Sequence, residues 1–370
     1  MDVNMNKRHI LYVVADMGDF KSSRLVLARA AQEKGYIIHV AAPGAANDAV
    51  LKEFAMHGHD MPRLKRNIFS ALYVVNCLSR IQKKIKPEMI HAITLKYSFL
   101  CGFAAGDSRK IFTIAGLGYV ASNTFFSRVF KIILTPFLKY ALKDAFLIVQ
   151  NPDDSEFLIA QKWAPAHSIT LIRGSGVDLN RFAPKPGTEE FPPIVLMPTR
   201  LLRDKGIDVF MNAARIIAEK KIPARFVIAG GAGGQSPGAI SESSMRTMIQ
   251  NTTVEWSGFI ADMPGLYAKA AIVAYPSHYR EGIPRALIEA AAIAKPIVTT
   301  DHPGCRETVD DGVNGFLIPV KNPEALANKI EKLLNDDGLR ARMGAAGRKK
   351  AEHEFDVHMI AGQILKIYEN

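Results

Sequence analysis

Short apolar runs alternate with stretches of helical spacing along almost the whole of this 370-residue chain, and that alternation constrains its fold more than any other feature. The runs fall at 10–14, 37–41, 89–92, 111–114, 146–149 and 169–172, then again at 194–197, 224–228, 254–256, 272–274, 297–299 and 315–318. Strand and helix in strict succession are the signature of parallel α/β sheets. Between the two sets lies 181–193, rich in proline, which reads as a linker. The expectation is therefore two Rossmann-like, doubly wound α/β domains, at 1–180 and 194–355, with 356–370 as a closing helix. Such sheets bind ligands outside the carboxyl ends of their strands, so a cleft formed from those ends is the expected place for chemistry.

The segment 277–290 carries the densest set of reactive groups. Pro284 suits the first helical position and 286–292 are mostly good helix formers, so Gly282 and Ile283 mark a helix N-terminus. The first turn of a helix leaves backbone N–H groups unpaired and carries partial positive charge, which suits a phosphate group. Glu281 sits before that turn and Glu289 beyond it, and Pro284 to Glu289 spans about 7.5 Å at about 1.5 Å per residue. A ligand held at its middle by the helix end would meet one carboxylate on each side. A nucleotide sugar, with hexose, diphosphate and ribose in that order, has this form. Arg200 and Lys205 follow the run 194–197, in a loop where two cations could neutralise a diphosphate leaving group. The bland alternative is a solvated basic loop. Gly231 belongs to the cluster 230–234 after another strand, where the backbone could approach a phosphate or a sugar, or simply turn.

Glu281 and Glu289, with seven residues between them, resemble the Glu-x7-Glu motif of family 4 glycosyltransferases. Residues 197–206, with Arg200 and Lys205-Gly206, resemble that family's diphosphate site; 173–182 resemble its interdomain segment; 301–307 and 311–317 complete its C-terminal pattern. The resemblance is nearest to the branch that builds capsules, O-antigens and protein-linked glycans on a polyprenyl diphosphate lipid. It implies the GT-B architecture, with the two domains facing a central cleft and the last helix, about 357–368, crossing back to the first domain. It also implies transfer of a hexose or N-acetylhexosamine from a UDP-sugar to a polyprenyl-diphosphate-linked saccharide, with retention and with neither cofactor nor metal. Glu281 would then orient the sugar hydroxyls, Glu289 the ribose diol, and Arg200 and Lys205 the diphosphate. Gly18, Gly231, Phe259, Ile260, Gly282, Ile283 and Pro284 complete the implied donor set, with core packing the alternative for the 256–260 segment. The family often has a glycine pair where this chain has Gly18 alone. On the acceptor side, Gly116 and Gly118 resemble the Gly-Leu-Gly-Tyr turn of the lipid-linked branch. His91 and Lys96 are the polar candidates there, Lys96 toward the acceptor's diphosphate. A lone histidine at a strand end also serves structural ends. The polar residue that several members place near Ala115 has no counterpart here.

Charge is unevenly spread. Residues 1–185 hold 25 Lys+Arg against 14 Asp+Glu, and the remainder is balanced at 22 and 22. Arg63, Lys65, Arg66, Arg80, Lys83, Lys84 and Lys86 cluster, and Arg128, Lys131, Lys139 and Lys143 punctuate the apolar run 129–142, with Phe125 and Phe126 just ahead of it. Cations on a large apolar surface read as an interfacial helix lying on an anionic leaflet, or else as a buried helix with a basic edge. Three widely spaced cysteines favour a reducing cytosol. The run 10–14 is too short for a signal h-region, and no run reaches the roughly 18 residues of a spanning helix, so the expected location is cytoplasmic, peripheral on the inner face of the membrane. With no Asp-x-Asp, charge neutralisation falls to Arg200, Lys205 and the helix N-terminus. Two rivals remain. A sugar-nucleotide epimerase on the same architecture would not need the basic N-terminal face. A nucleic-acid-binding protein would explain the +11 net charge but not the C-terminal motifs.

Overall fold

The computed structural model describes residues 8–370 except 66, 105, 122–124, 235 and 237, and for Tyr119 and residues 125–130 it describes the backbone alone. The chain divides into two compact units, one formed by Met1–Ser175 with Val357–Asn370 and the other by Gly176–Asp356.

The N-terminal unit is built on a seven-stranded sheet of β1 (His9–Val13), β2 (Ile37–Ala42), β3 (His57–Asp60), β4 (Met89–Ile93), β5 (Arg109–Ile114), β6 (Ala145–Val149) and β7 (Ile169–Leu171). Their order is β3-β2-β1-β4-β5-β6-β7 and every pairing is parallel. Six of these strands lie where the apolar runs place them. The seventh, β3, reads His-Gly-His-Asp and carries no apolar period. It exists because an edge strand needs only backbone pairing on one side, here with β2 from His39 opposite His57. One face of the sheet packs Phe20, Leu27, Ile360 and Ile364. The other packs Val74, Leu78, Leu100 and Leu138. The last helix, Val357–Glu369, is thus part of this unit's core, and Arg109 donates to its final carbonyls, Ile367 O at 2.6 Å and Tyr368 O at 3.1 Å. A cation at a helix C-terminus meets both unpaired carbonyls and the negative end of the dipole.

The C-terminal unit repeats the plan with β8 (Ile194–Pro198), β9 (Arg225–Ala229), β10 (Val254–Trp256), β11 (Ala270–Tyr275), β12 (Ile297–Thr300) and β13 (Gly315–Ile318), ordered β10-β9-β8-β11-β12-β13 and all parallel. Segment 181–193, expected as a linker, belongs to this unit. Phe182 is buried in its core, and Glu190 pairs with Arg225 at 2.9 Å. Proline-rich composition reports irregular backbone, not independence from a core. The chain passes between units at Ser175 and Gly176, and again at Asp356 and Val357.

Candidate active site

In the C-terminal unit the strand order reverses direction between β8 and β11, and the loops leaving these two strands bring the two strongest motifs together. Lys205, in the loop after β8, and Glu281, in the loop after β11, form an ion pair at 2.5 Å with side chains 8% and 15% exposed. Lys205 Nζ also donates to the Tyr275 hydroxyl at 2.9 Å, and that hydroxyl lies 3.1 Å from Glu281 Oε1. Ser277 Oγ donates to the same carboxylate oxygen at 3.0 Å. Burial holds the Tyr275 hydroxyl well above the usual phenol range, so it stays a neutral donor. A buried carboxylate is tolerated only when paired and hydrogen-bonded, and Glu281 has both.

Two glycines permit this convergence. Gly206 has φ 77°, and a Cβ there would lie 2.2 Å from Pro276 O at the exit of β11. Gly304, in the loop after β12, has φ 84°, and its Cβ would lie 1.7 Å from Gly282 O. Any side chain at either position would push the loops apart. Beneath them Cys305 is buried, and burial pushes its thiol up to about 12.

Glu289 is held by a different set. It sits on the helix Arg285–Ala292, accepting from Arg285 at 2.9 Å and from the Tyr267 hydroxyl at 3.3 Å. Burial pushes its carboxyl up from the usual value, against the pull of the Arg285 charge. Pro284, expected as the first helical residue, is instead the N-cap, with extended backbone at φ −63° and ψ 122°. Gly282 and Ile283 are buried between the two carboxylates in sequence. Arg200 is exposed, and its charge acts on the Tyr279 hydroxyl. Gly231 and Phe259 also meet: a Cβ on Gly231 would be 3.8 Å from Phe259 Cβ, and Gly230 N donates to Gly258 O at 2.7 Å. Phe259 is 82% exposed and Ile260 half-buried, so the aromatic ring is presented outward and is not core. Tyr275, Ser277, Tyr267 and Arg285 were not singled out from sequence. The first two lie four to six residues before Glu281, so only the close turn after β11 brings them to it.

The N-terminal unit treats its candidates differently. Gly18 lies exposed in the first turn of the helix Met17–Ser23, and Lys96 is exposed in the first turn of the helix Leu95–Ala104. Gly116 and Gly118 follow β5 with φ 97° and 52°. His91, expected on the acceptor side, lies instead in the core. It is 0% exposed, with Nδ1 2.5 Å from the Tyr368 hydroxyl and Nε2 2.7 Å from Thr113 Oγ1. Both ring nitrogens are committed inside the core, which leaves none to meet an acceptor. Thr94, two residues before Lys96, takes φ 79°, rare for a β-branched residue. Arg66 and the side chains of 125–130, Arg128 included, lie outside the described residues.

The sequence profile described as "Glycosyl transferases group 1" matches residues 180–350, and "Glycosyl transferase 4-like" matches residues 9–152. The chain is 32% identical over 169 residues to the capsular polysaccharide biosynthesis glycosyltransferase CapM of Staphylococcus aureus, covering 46% of this chain and 44% of that protein. The chain thus spans less than half of CapM. It is 26% identical over 328 residues to the N,N'-diacetylbacillosaminyl-diphospho-undecaprenol alpha-1,3-N-acetylgalactosaminyltransferase of Campylobacter jejuni, covering 84% of each. The solved structure of Anabaena Alr3699/HepE in complex with UDP and glucose matches with a TM-score of 0.77 at 21% identity, over 98% of this chain and 99% of that one. The chain belongs to the family 4 glycosyltransferases, and its two parallel α/β units are those of the GT-B fold.

Proposed function

We propose that this glycosyltransferase moves a hexose or N-acetylhexosamine from a UDP-sugar to a polyprenyl-diphosphate-linked saccharide, with retention of configuration. The observation that carries the reading is the buried Lys205–Glu281 pair at the reversal point of the C-terminal sheet. The Campylobacter relative's name describes a diphospho-undecaprenol-linked acceptor, and the Anabaena protein holds UDP and glucose. Without a donor, Lys205 and Glu281 neutralise each other. A bound donor would draw Lys205 and Arg200 onto the diphosphate and turn Glu281 to the sugar hydroxyls, while Glu289 takes the ribose diol. As the bond from C1 to phosphate oxygen breaks, negative charge grows where those two cations wait, which favours the transition state over the ground state. The acceptor hydroxyl oxygen forms the new bond to C1 from the same face, its proton passes to the departing phosphate oxygen, and UDP leaves. The scheme requires no metal. Gly18, Gly231, Phe259, Ile260, Gly282, Ile283 and Pro284 complete the donor set, and Lys96, Gly116 and Gly118 serve the acceptor.

The N-terminal unit would meet the inner leaflet from its surface. It holds 24 Lys+Arg against 14 Asp+Glu, the other unit 23 against 22. On the helix Phe125–Ala141, Ile132, Ile133, Phe137 and Tyr140 are exposed, and on the helix Ile68–Ile85, Ile68, Phe69, Leu72 and Tyr73 are too. Among the described residues no helix is long and apolar enough to cross a membrane. Exposed apolar side chains beside excess cations suit an anionic interface.

Incubation with a panel of UDP-sugars and a polyprenyl-diphosphate-linked acceptor, in excess EDTA, tests the reading. One added sugar in the product mass, α-linked from an α-linked donor, is the expected result. Free sugar without an acceptor product would point to the epimerase alternative, and loss of activity restored by Mg²⁺ would reject the metal-free scheme.

A further inference from the structure

At the amino end of the N-terminal sheet, away from the carboxyl ends that carry Gly18, Lys96, Gly116 and Gly118, lies a groove of about 780 Å³. Its walls come from the starts of β5 and β6, the last turn of the helix Phe125–Ala141, and the segment 159–168. Arg109, Lys110, Lys139, Lys143, Lys162 and His167 line it, against one carboxylate, Asp144. Here, among the described residues, Lys139, Lys143 and Lys162 have no carboxylate within ion-pair distance, and Lys110 reaches only the Lys143 carbonyl at 3.5 Å. Unpaired cations sharing one concavity repel one another and focus a positive field within it. Lys139, Lys143 and Lys162 are exposed, so solvent and salt screen part of that repulsion, and an anion in the groove would relieve the rest.

The floor is apolar, formed in part by buried Trp163 and Leu142. Ile159 at its edge is 40% exposed, and Tyr140, next in sequence to Lys139, is 62% exposed and packs on Phe103 with ring centroids 5.2 Å apart. The helix Phe125–Ala141, whose last turn walls the groove through Lys139, also carries the exposed Phe137 and Tyr140. A soluble phosphate would use the cations alone, whereas a phospholipid would use both parts, its headgroup phosphate among the lysines and its acyl chains against Ile159, Phe137 and Tyr140.

We propose that this groove is a headgroup site for an anionic phospholipid, which anchors the N-terminal unit on the leaflet through a discrete phosphate contact. The inference rests on the proposed reading of a membrane-linked acceptor. It goes further, because a diffuse basic surface would attract any anionic interface without a particular place for one phosphate.

The test uses the whole chain and the double variant Lys143→Glu/Lys162→Glu, with Lys52→Glu/Lys185→Glu as a control of equal charge change on exposed lysines elsewhere. Co-sedimentation is measured with vesicles of phosphatidylcholine alone and with phosphatidylglycerol added, at about 0.1 M salt, where the screening length is about 10 Å. The groove variant is expected to bind phosphatidylglycerol vesicles at least about tenfold more weakly than the wild type, while the control stays within about threefold. Equal losses in the two variants would overturn the proposal in favour of net charge. Tight binding of inorganic diphosphate, lost in the groove variant while vesicle binding is unchanged, would also overturn it and assign the groove to a soluble anion. Transfer to a short-chain, water-soluble diphosphate-linked acceptor is read on the same samples. It should be intact in the groove variant, and its absence from the wild type would reject the proposed function independently of the vesicle result.

Discussion

The two units share one sheet plan and use it for unlike ends. In the C-terminal unit the loops at the strand ends turn charged side chains toward one another, so that Lys205, Tyr275, Ser277 and Glu281 form one hydrogen-bonded group. In the N-terminal unit the foremost polar candidate is drawn inward. His91 bridges β5 and the last helix through Thr113 and Tyr368, while this unit holds most of the chain's charge excess. A diphosphate presents the same compact charge to every enzyme that binds it, which calls for cations at fixed places. A lipid-linked acceptor can be recognised by a surface, and a surface needs no buried charge.

The largest test of that contrast pairs one lysine from each unit. Lys205→Ala removes a cation from the proposed leaving group, and transfer should fall by roughly 10²–10³. Lys96→Ala removes an exposed cation and should cost about tenfold or less, mainly in KM for the acceptor. Equal losses in kcat would break the contrast.

Acid sharpens it next. Burial pushes His39 down to about 3 and His91 well below the usual imidazole range; His59 is lowered as well, and His39 is hydrogen-bonded to His9 and His59 at 2.9 Å each. Folded, these rings stay neutral, whereas unfolded imidazoles charge near pH 6.5. Above that value the shifts have no effect on stability. Below it the unfolded chain takes up protons that the fold refuses, and each such ring withdraws up to about 1.4 kcal/mol per pH unit until it titrates in the fold. Burial lowers His278 and His302 in the C-terminal unit too, but both are less buried than His39 or His91. Hydrogen exchange at about pH 7.5 and about pH 5.5, corrected for intrinsic rates, should show protection lost first in β1, β2 and β4. Earlier loss in β8 and β11 would contradict this.

A smaller effect separates two glycines of similar backbone. Gly304→Ala places a Cβ against the Gly282 carbonyl, and should cost roughly 2–3 kcal/mol. Gly35, at φ 86°, has nothing within 4 Å of such a Cβ, so Gly35→Ala should cost about 1 kcal/mol. Chemical denaturation of both variants measures the difference.

The legibility of the chain follows the same division. Buried parallel strands are apolar along their length, so β1, β2, β4 and the inner strands β8, β11 and β12 of the C-terminal sheet stand out in the sequence. Edge strand β3 does not, because His57 to Asp60 is specified by its neighbour's backbone. Lys205 and Glu281 are recognisable by spacing, yet the hydroxyls that hold them, Tyr275 and Ser277, could not be chosen from an apolar strand end without its turn. His91 misled because a histidine's role depends on what surrounds it, and the decisive partner, Tyr368, is 277 residues away. The linker misled because its composition resembles an independent segment while Phe182 buries itself in a core.

The proposed mechanism gives Glu281 the sugar and Glu289 the nucleoside, and calorimetric titration with UDP beside turnover of the matching UDP-sugar separates the two roles. Their separate partners, Lys205 with Tyr275 and Arg285 with Tyr267, make independent variants meaningful once circular dichroism shows each to be folded. Glu289→Ala should weaken UDP binding by roughly 1.5–3 kcal/mol, the range for a hydrogen bond to a charged group. Glu281→Gln should leave UDP affinity within about threefold while transfer falls steeply. Equal loss of UDP affinity in both variants, or no change in either, would contradict the account.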